Sequence, residues 1–307
     1  MNNVISTRAK YFRNLKDFKF VPKLDKENAQ TLENNVEQVL GKNYHKVIIG
    51  ATQENILNYV VENDLISKNT KGIFLNKTKS VSVSLFEEEH VLIRATGYGF
   101  DKTAIQNAAE VANLLSNKIS LAYSDEYGYL MSNLQYLGTG LKLECDIDLN
   151  ALVSLGKIEQ VKQNVKKLGF NLQEREPNIF TLSTLCNLGF AEKEIIEEFE
   201  KMVAKLQDLE IESAKMLEVS KHDEVMDKVM RSQAILSSCY LMSVDELKFH
   251  LSVLRTGANL NLTKIEPEKL IQIQKLTINK NTEIASQSEL VNLAESVRKI
   301  IKGETNV

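Results

Sequence analysis

The stretch that decides the fold runs from residue 80 to residue 97 and reads SVSVSL (Ser80–Leu85), FEEE (Phe86–Glu89) and HVLIRATG (His90–Gly97). The first run alternates polar and apolar residues and the second is rich in aliphatic residues, so each predicts a β-strand. The connection between them is short enough for a hairpin, whose two strands are antiparallel. The segment therefore favours an antiparallel sheet over a doubly wound parallel one.

Similar β-rich runs lie on both sides of this hairpin. They are Lys46–Ala51, Gly72–Leu75, Tyr127–Ser132, Leu141–Leu149, Leu168–Glu174 and Asn178–Leu185. Between them, Asp101–Lys118 carries apolar residues at helical spacing, with Asp101 as the expected N-cap. A second helix is expected over Leu149–Lys167, ending at Gly169. We therefore expect an α+β fold in which helices flank an antiparallel sheet.

Helical patterns dominate the remainder of the chain. One long helix is expected from Ala191 to about Leu217, and further helices continue to Lys302 with breaks near Gly257 and Pro267. A content of only 13 glycines and 3 prolines suits long, uninterrupted elements. The length of 307 residues is typical of about two domains. We place a catalytic-type α+β domain at residues 1–210 and an all-helical domain at residues 211–307.

Composition and charge exclude several classes of protein. The formal net charge of −3 gives no general attraction to nucleic acid or to anionic lipid. No apolar run approaches the length of a membrane span, and residues 1–10 lack the apolar segment of a signal peptide. Cys145, Cys186 and Cys239 are far apart without metal-ligand spacing, which predicts no metal site and suits a reducing compartment. We expect a cytoplasmic protein.

Two short motifs each allow two interpretations. Gly138-Thr139-Gly140 could bring backbone N–H groups against a phosphate, or it could be an ordinary tight turn. The run Glu87–His90 could be a solvated hairpin loop, or it could hold a carboxylate beside a cleft where it orients a guanidinium. Zinc ligation by His90 with Glu88 lacks a further ligand at suitable spacing.

The N-terminal segment carries cations at alternating positions. Arg8 and Lys10 project to the same side of an extended chain, which is the arrangement needed to grip successive phosphates. Taken alone, the segment favours the interpretation as a basic N-terminus.

Taken in order, these pieces resemble the guanidino phosphotransferases, and specifically the bacterial protein arginine kinases. The family's opening Ser-Ser-Arg-x-Arg segment, which runs into Ala-Arg-Asn-Leu, is similar to Ser6–Leu15. Its Asn-Glu-Glu-Asp-His-Leu-Arg segment looks like Phe86–Leu92, and its Gly-Tyr-Leu-Thr looks like Gly128–Met131. The Gly-Thr-Gly-Leu-Arg motif resembles Gly138–Lys142, and Asn178–Thr184 is similar to a later family stretch.

The resemblance implies phosphoryl transfer from ATP, carried with Mg²⁺, to an arginine guanidinium of a protein, on an antiparallel sheet wrapped by helices. It makes Glu88 the catalytic carboxylate that holds the guanidinium. The cofactor-binding residues that it implies are Arg8, Lys10, His90, Arg94 and Lys142. It also implies a protein substrate or a regulated protein partner, and by analogy a homodimer.

The chain departs from the family pattern at several positions. Lysine stands at residues 10 and 142 where the family has arginine, and Leu92 and Gln173 replace two further arginines. The Gly/Glu-rich catalytic loop is shortened to about Glu174–Pro177. Lysine keeps the charge but not the bidentate geometry of arginine.

These departures leave two hypotheses for the function. One is a divergent protein arginine kinase with a degraded active site, and the other is a pseudokinase that acts as a regulatory or scaffold partner. The nearest match to the family's phosphoarginine-binding motif is Glu289–Ala294, which has lost its cations and its acid.

Overall fold

A computed structural model describes residues 3–48, 56, 60–61, 65–66, 70, 72–277 and 286–304 of the chain. The strands are β1 (Val4–Arg13), β2 (Tyr44–Ile48), β3 (Gly72–Asn76), β4 (Val81–Leu85), β5 (Val91–Tyr98), β6 (Tyr123–Ser124), β7 (Gly128–Tyr129), β8 (Leu141–Asp148), β9 (Phe170–Glu176) and β10 (Ile179–Thr184). Eight of them form one sheet in the order β2-β3-β4-β5-β1-β8-β10-β9, while β6 and β7 form a separate pair. All neighbouring strands are antiparallel.

The hairpin expected at residues 80–97 is confirmed. In β4 and β5, Ser82 faces Arg94 and Val83 faces Ile93. The backbone N–H of Phe86 donates to the carbonyl of His90 at 3.1 Å and closes the turn. Polar Ser82 and apolar Val83 thus point to opposite faces of the sheet, as the alternating pattern requires.

The α-helices of the described residues are, in chain order, α1 (Lys26–Leu40), α2 (Lys102–Lys118), α3 (Asn150–Ser154), α4 (Ile158–Lys167), α5 (Glu192–Ser238), α6 (Val244–Asn259), α7 (Pro267–Lys275) and α8 (Gln287–Lys302). The predicted N-cap is confirmed, because the side chain of Asp101 accepts a hydrogen bond from the backbone N–H of Thr103 at 2.9 Å. Together, sheet and helices confirm the expected α+β class.

Several boundaries differ from the sequence-based expectation. Leu149–Lys167 is two helices rather than one, because Gly156 adopts a φ of +68° between them. A strand was expected at Tyr127–Ser132, but only Gly128–Tyr129 forms one, which pairs with β6. Of the run Lys46–Ala51, residues 49–51 lie outside the described residues.

Helix α6 ends at Asn259 and α7 begins at Pro267, so the breaks expected near Gly257 and Pro267 are confirmed, although Gly257 itself lies inside α6. A Cβ at this position would lie 2.8 Å from both methyl groups of Val229. The glycine therefore permits close packing of α6 on α5 instead of ending a helix.

The two largest apolar clusters among the described residues lie beneath the sheet and in the helical part. Helix α5 contributes to both, from Ile195 to Leu206 in the first and from Ala214 to Leu236 in the second. The helix changes direction at Lys221, whose φ of −143° is not helical. The boundary between residues 210 and 211 falls inside this helix and stays a prediction.

Candidate active site

Strand β8 carries a row of charges on one face of the sheet. Lys142, Glu144 and Asp146 alternate with Leu143 and Cys145, which are completely buried in the core on the other face. Since side chains along a strand alternate between faces, the three charged groups share one surface. This row is the foundation of the site.

The central strand β1 places two cations beside that row. Arg8 lies opposite Glu144, and Lys10 lies opposite Lys142, in the register of β1 with β8. Side chains that face each other across two antiparallel strands point to the same side of the sheet. The extended conformation and the shared face expected for Arg8 and Lys10 are therefore confirmed.

The Arg8 guanidinium is bound to two carboxylates. Its two terminal nitrogens donate to the two oxygens of Asp146, at 2.6 and 2.8 Å, and Nε donates to Glu144 Oε2 at 3.2 Å. Only 4% of the Arg8 surface is exposed. This is the bidentate geometry that guanidinium forms with a carboxylate or with a phosphate.

Glu144 is the centre of a three-cation environment. Its oxygens contact Lys10 Nζ at 2.7 Å and Lys142 Nζ at 3.0 Å in addition to Arg8. Burial by itself raises the pKa of a carboxyl, but Lys10, Arg8 and Lys142 together hold the pKa of Glu144 well below its usual range. Glu144 is therefore a fully ionised, buried carboxylate.

Asp146 receives further donors from β10, the strand next to β8, and from the edge strand β9. Arg175 of β9 contacts Asp146 Oδ2 at 2.5 Å, and the hydroxyl of Thr181 on β10 donates to Oδ1 at 2.6 Å. Against the effect of burial, Arg8 and Arg175 lower the pKa of Asp146 to about 2. The six charged residues form what is called below the β8 cluster: Arg8, Lys10, Lys142, Glu144, Asp146 and Arg175.

Arg94 is on the same face but has its own partner. It lies opposite Lys10 in the register of β1 with β5. Its terminal nitrogens donate to the two carboxylate oxygens of Glu87 at 2.9 and 2.7 Å, and both side chains are 7% exposed. The structure thus brings Arg94 to the sheet face next to the β8 cluster, bound to Glu87.

The other two glutamates of the hairpin have different environments. Glu89 is completely buried and accepts hydrogen bonds from Asn14 Nδ2 at 2.6 Å and from the backbone N–H of Ser132 at 2.8 Å. Glu88 is exposed, and its carboxylate accepts a hydrogen bond from Asn133 Nδ2 at 3.4 Å. Glu89 therefore holds the loops together, while Glu88 faces outward.

Tyr136 connects Glu88 with the β8 cluster. The side chains of Tyr136 and Glu88 are joined by a hydrogen bond, and burial, followed by Glu88, raises the pKa of the phenol well above the usual value. The ring stacks on Phe12 with centroids 3.8 Å apart, and Lys142 Nζ lies 5.8 Å from its centroid. Glu88 thus occupies the rim of the same sheet face.

His90 contacts the chain that follows β1. Its Nδ1 accepts from the backbone N–H of Leu15 at 3.1 Å, and Nε2 bonds the carbonyl of Lys19 at 2.8 Å. Since Nδ1 accepts, Nε2 carries the proton, and burial lowers the pKa of the ring so that it stays neutral. A role for His90 toward a nucleotide stays a prediction, since both ring nitrogens bond the backbone.

The Gly138–Gly140 segment has the geometry of a tight turn. Both glycines have positive φ, +106° and +63°. Their N–H groups donate to the carbonyls of Tyr129 and Tyr136, at 3.3 and 3.1 Å. These two donors are therefore engaged within the protein, which supports the interpretation as a turn.

Sequence reasoning missed Glu144, Asp146 and Arg175. The signal for the two acids was the alternation of LKLECDID in β8, which puts them on the same face as Lys142. Arg175 follows Gln173 by two positions, at the point where the register of β9 with β10 shifts by one residue. That Arg175 reaches Asp146 depends on strand order and could not be seen in the sequence.

Two further observations concern metal binding and membrane-spanning helices. Within the described residues, no three His, Cys, Asp or Glu side chains are grouped so that they could hold a metal ion. Among the helices of the described ranges, none is both long and apolar enough to cross a membrane.

Comparison with known proteins identifies the class to which this site belongs. Residues 11–213 match the model of the ATP:guanido phosphotransferase C-terminal catalytic domain. The match begins at Tyr11, near the end of β1, stops at Ser213 within α5, and includes Glu88, Lys142 and Glu144. The chain belongs to the ATP:guanido phosphotransferase family.

Within this family the chain is similar to bacterial protein-arginine kinases, so the resemblance seen in the motifs is confirmed. It is 28% identical to the protein-arginine kinase of Clostridium perfringens over 329 residues, covering 99% of this chain and 96% of that protein. It is also 28% identical to the protein-arginine kinase of Bacillus subtilis over 282 residues, covering 85% of this chain and 77% of that protein.

Solved structures show the same fold. A lombricine kinase matches 71% of this chain and 68% of its own, with a TM-score of 0.61 and 18% identity. The duplicated taurocyamine kinase from Schistosoma mansoni matches 97% of this chain and 43% of its own, with a TM-score of 0.62 and 21% identity.

Proposed function

We propose that this protein transfers the γ-phosphoryl group of ATP to the guanidinium of an arginine in a protein substrate, at a rate lowered by its altered phosphate-binding residues. The observation that carries the proposal is the convergence of Arg8, Lys10 and Lys142 on one sheet face, with Glu88 at its rim. The protein-arginine kinases named above support the choice of acceptor.

The chemistry needs charge and position more than covalent participation. The bond between the γ-phosphorus and the ADP oxygen breaks, a bond to a guanidinium nitrogen forms, and that nitrogen loses a proton. Cations beside the transferred group stabilise the charge on its oxygens. Bound Mg²⁺ supplies further positive charge on the phosphates when it is carried by the nucleotide.

Glu88 has the exposure that an acceptor site requires. A carboxylate accepts two parallel N–H bonds from a guanidinium, which fixes the attacking nitrogen. Glu88 is exposed at a hairpin, whereas Glu87 is bound to Arg94 and Glu89 to Asn14. Of these three glutamates, Glu88 is therefore the one placed to receive a substrate arginine.

A second candidate function is a pseudokinase that binds and regulates a partner protein. The observation that favours it is the state of the β8 cluster, in which all four cations are bonded to Glu144 or Asp146. Phosphate oxygens would have to compete with these carboxylates.

For either function, we propose that the protein is cytoplasmic. The three free thiols, at Cys145, Cys186 and Cys239, suit the reducing environment of the cytoplasm.

Incubation with γ-labelled ATP, Mg²⁺ and an arginine-rich protein tests the proposal. We expect acid-labile phosphate on the acceptor, lowered at least about 100-fold by Glu88→Gln, because removing a group that acts in the transition state costs about this much. Glu126→Gln is the matched control, since Glu126 is an exposed glutamate in the turn between β6 and β7.

Label that does not exceed the Glu88→Gln background would reject the kinase and favour the pseudokinase. A titration with ATP and Mg²⁺ then asks whether nucleotide still binds. Tight binding with measurable turnover would reject the pseudokinase instead.

A further inference from the structure

Two carboxylates occupy the cations that a nucleotide would need. We propose that Glu144 and Asp146 are built-in competitors of phosphate: they are bound by Arg8, Lys10, Lys142 and Arg175, and they thereby weaken the binding of nucleotide at this face. The inference rests on the proposed function in taking nucleotide phosphates as the anion that this face receives.

The geometry is that of an occupied anion site. The two terminal nitrogens of Arg8 donate hydrogen bonds to Asp146, and its Nε donates to Glu144. The N–H groups of its guanidinium are therefore directed at carboxylates. A carboxylate presents two oxygens to guanidinium in the same way as a phosphate does. A phosphate that binds Arg8 bidentately must therefore displace Asp146.

The charges give the direction of the effect. Four cations meet two carboxylates in the β8 cluster, so half of the positive charge is cancelled within the protein. Both acids are ionised, because the surrounding cations lower the pKa of Asp146 to about 2 and that of Glu144 further below its usual range. Their negative charge is present at neutral pH.

The burial shows that the two acids are held in place. Glu144 is 8% exposed and Asp146 is 3% exposed, so neither can rotate into water without leaving its partners. Hydroxyls of Ser6 and Thr181 also donate to Asp146, at 3.2 and 2.6 Å. Displacement by phosphate is opposed by every one of these bonds.

Part of the cluster remains open to solvent. The side chains of Lys10, Lys142 and Arg175 are 20%, 24% and 35% exposed, respectively, while that of Arg8 is 5% exposed. An anion therefore reaches the two lysines and Arg175 before it reaches Arg8. Removing a carboxylate would give it the buried cation as well.

Isothermal titration of tripolyphosphate, without Mg²⁺, tests this inference on the full chain. The variants are Glu144→Gln, Asp146→Asn and the double variant, which keep the shape of the side chains and remove their charge. We expect each single variant to bind tripolyphosphate at least about 10-fold more tightly than the wild type, and the double variant about 100-fold more tightly. Asp227→Asn is the control, because Asp227 is exposed and pairs with Arg231 on α5.

Thermal denaturation with and without tripolyphosphate is the second readout. If the substitutions loosen the cluster, tripolyphosphate should restore the melting temperature of the variants by more than it raises that of the wild type. Folded variants with unchanged or weaker affinity, or unfolded variants that the anion does not rescue, would overturn the inference.

The change in tripolyphosphate affinity can be measured whether or not the protein transfers a phosphoryl group. Tighter anion binding without phosphoryl transfer in any variant would leave this inference standing and reject the kinase. Phosphoryl transfer by the wild type, together with variants that bind tripolyphosphate no more tightly, would support the kinase and reject this inference.

Discussion

Strand β8 places its buried acids in two contrasting environments. In the middle of the strand, Glu144 and Asp146 are surrounded by the cations of the β8 cluster. At the last residue of the strand, Asp148 pairs with one cation, Arg255 of α6, at 2.7 Å, and accepts a hydrogen bond from Ser252 at 2.9 Å. This second site joins the sheet to the helical part and is called the joint.

Glu210 completes the joint from α5. It accepts hydrogen bonds from the backbone N–H groups of Ala151 and Leu152, at 2.6 and 3.0 Å, at the start of α3. Burial, with a smaller effect of Asp148, raises the pKa of Glu210 to about 8. In the β8 cluster the pKa of each acid moves the other way.

The comparison shows that burial alone does not set the protonation of these acids. Cations within contact distance outweigh desolvation at Glu144 and Asp146, whereas two backbone donors do not outweigh it at Glu210. Asp148 and Arg255 form a balanced pair, whereas the surplus of cations in the β8 cluster leaves capacity for a ligand.

The largest expected effect is at the joint. Arg255→Met leaves Asp148, which is 2% exposed, without its only charged partner among the described residues. We expect a loss of about 3–5 kcal/mol of unfolding free energy, measured by denaturant titration. Arg231→Met removes an exposed pair with Asp227 and should cost less than about 1 kcal/mol. Equal losses of unfolding free energy in the two variants would show that the buried pair contributes no more than the exposed one.

The next effect is the pH dependence caused by Glu210. Its pKa is higher in the folded state, which therefore binds more protons, so stability falls as pH rises from about 4.5 to 8. Between pH 4.5 and 7 the expected loss is about 3 kcal/mol. Urea titrations across this range should give a flatter profile for Glu210→Gln, and identical slopes would contradict the assignment.

Asp146 should give a pH dependence of opposite sign. Its pKa is lower in the folded state, so its contribution is present above about pH 4 and is lost as pH falls toward 2. The contribution is about 2 kcal/mol. Unfolding free energies of the wild type and Asp146→Asn at pH 6 and pH 2.5 measure it. A difference between the two proteins that does not shrink in acid would refute this expectation.

The smallest effect is expected from Lys10→Met. Glu144 keeps Arg8 and Lys142 after this substitution, and the Lys10 side chain is 20% exposed. We expect a loss of about 1 kcal/mol or less, measured by the same denaturant titration. A loss as large as that of Arg255→Met would mean that the β8 cluster has no surplus cation.

Much of this architecture follows from local patterns. The alternation in SVSVSL predicts that Ser82 and Val83 lie on opposite faces of the sheet, and Asp101 predicts the start of α2. The split at Gly156 was missed because a single glycine within an amphipathic run has the same sequence signature whether it ends a helix or is tolerated inside one.

The candidate site was predicted only in part. Arg8, Lys10 and Lys142 were found because basic residues stand at the positions that carry arginine in the family. Glu144 and Asp146 were missed because acids are not expected on a phosphate-binding face.

The sequence by itself determined the antiparallel hairpin, the faces of the strands and the resemblance to guanidino phosphotransferases, because strand alternation and motifs are properties of neighbouring residues. Only the tertiary structure decided which charges meet. Arg8 finds Asp146 at a separation of 138 residues, through the register of β1 with β8. That register is set by the packing of the whole sheet, so the pairing of the cations of the β8 cluster with Glu144 and Asp146 is a property of the folded chain alone.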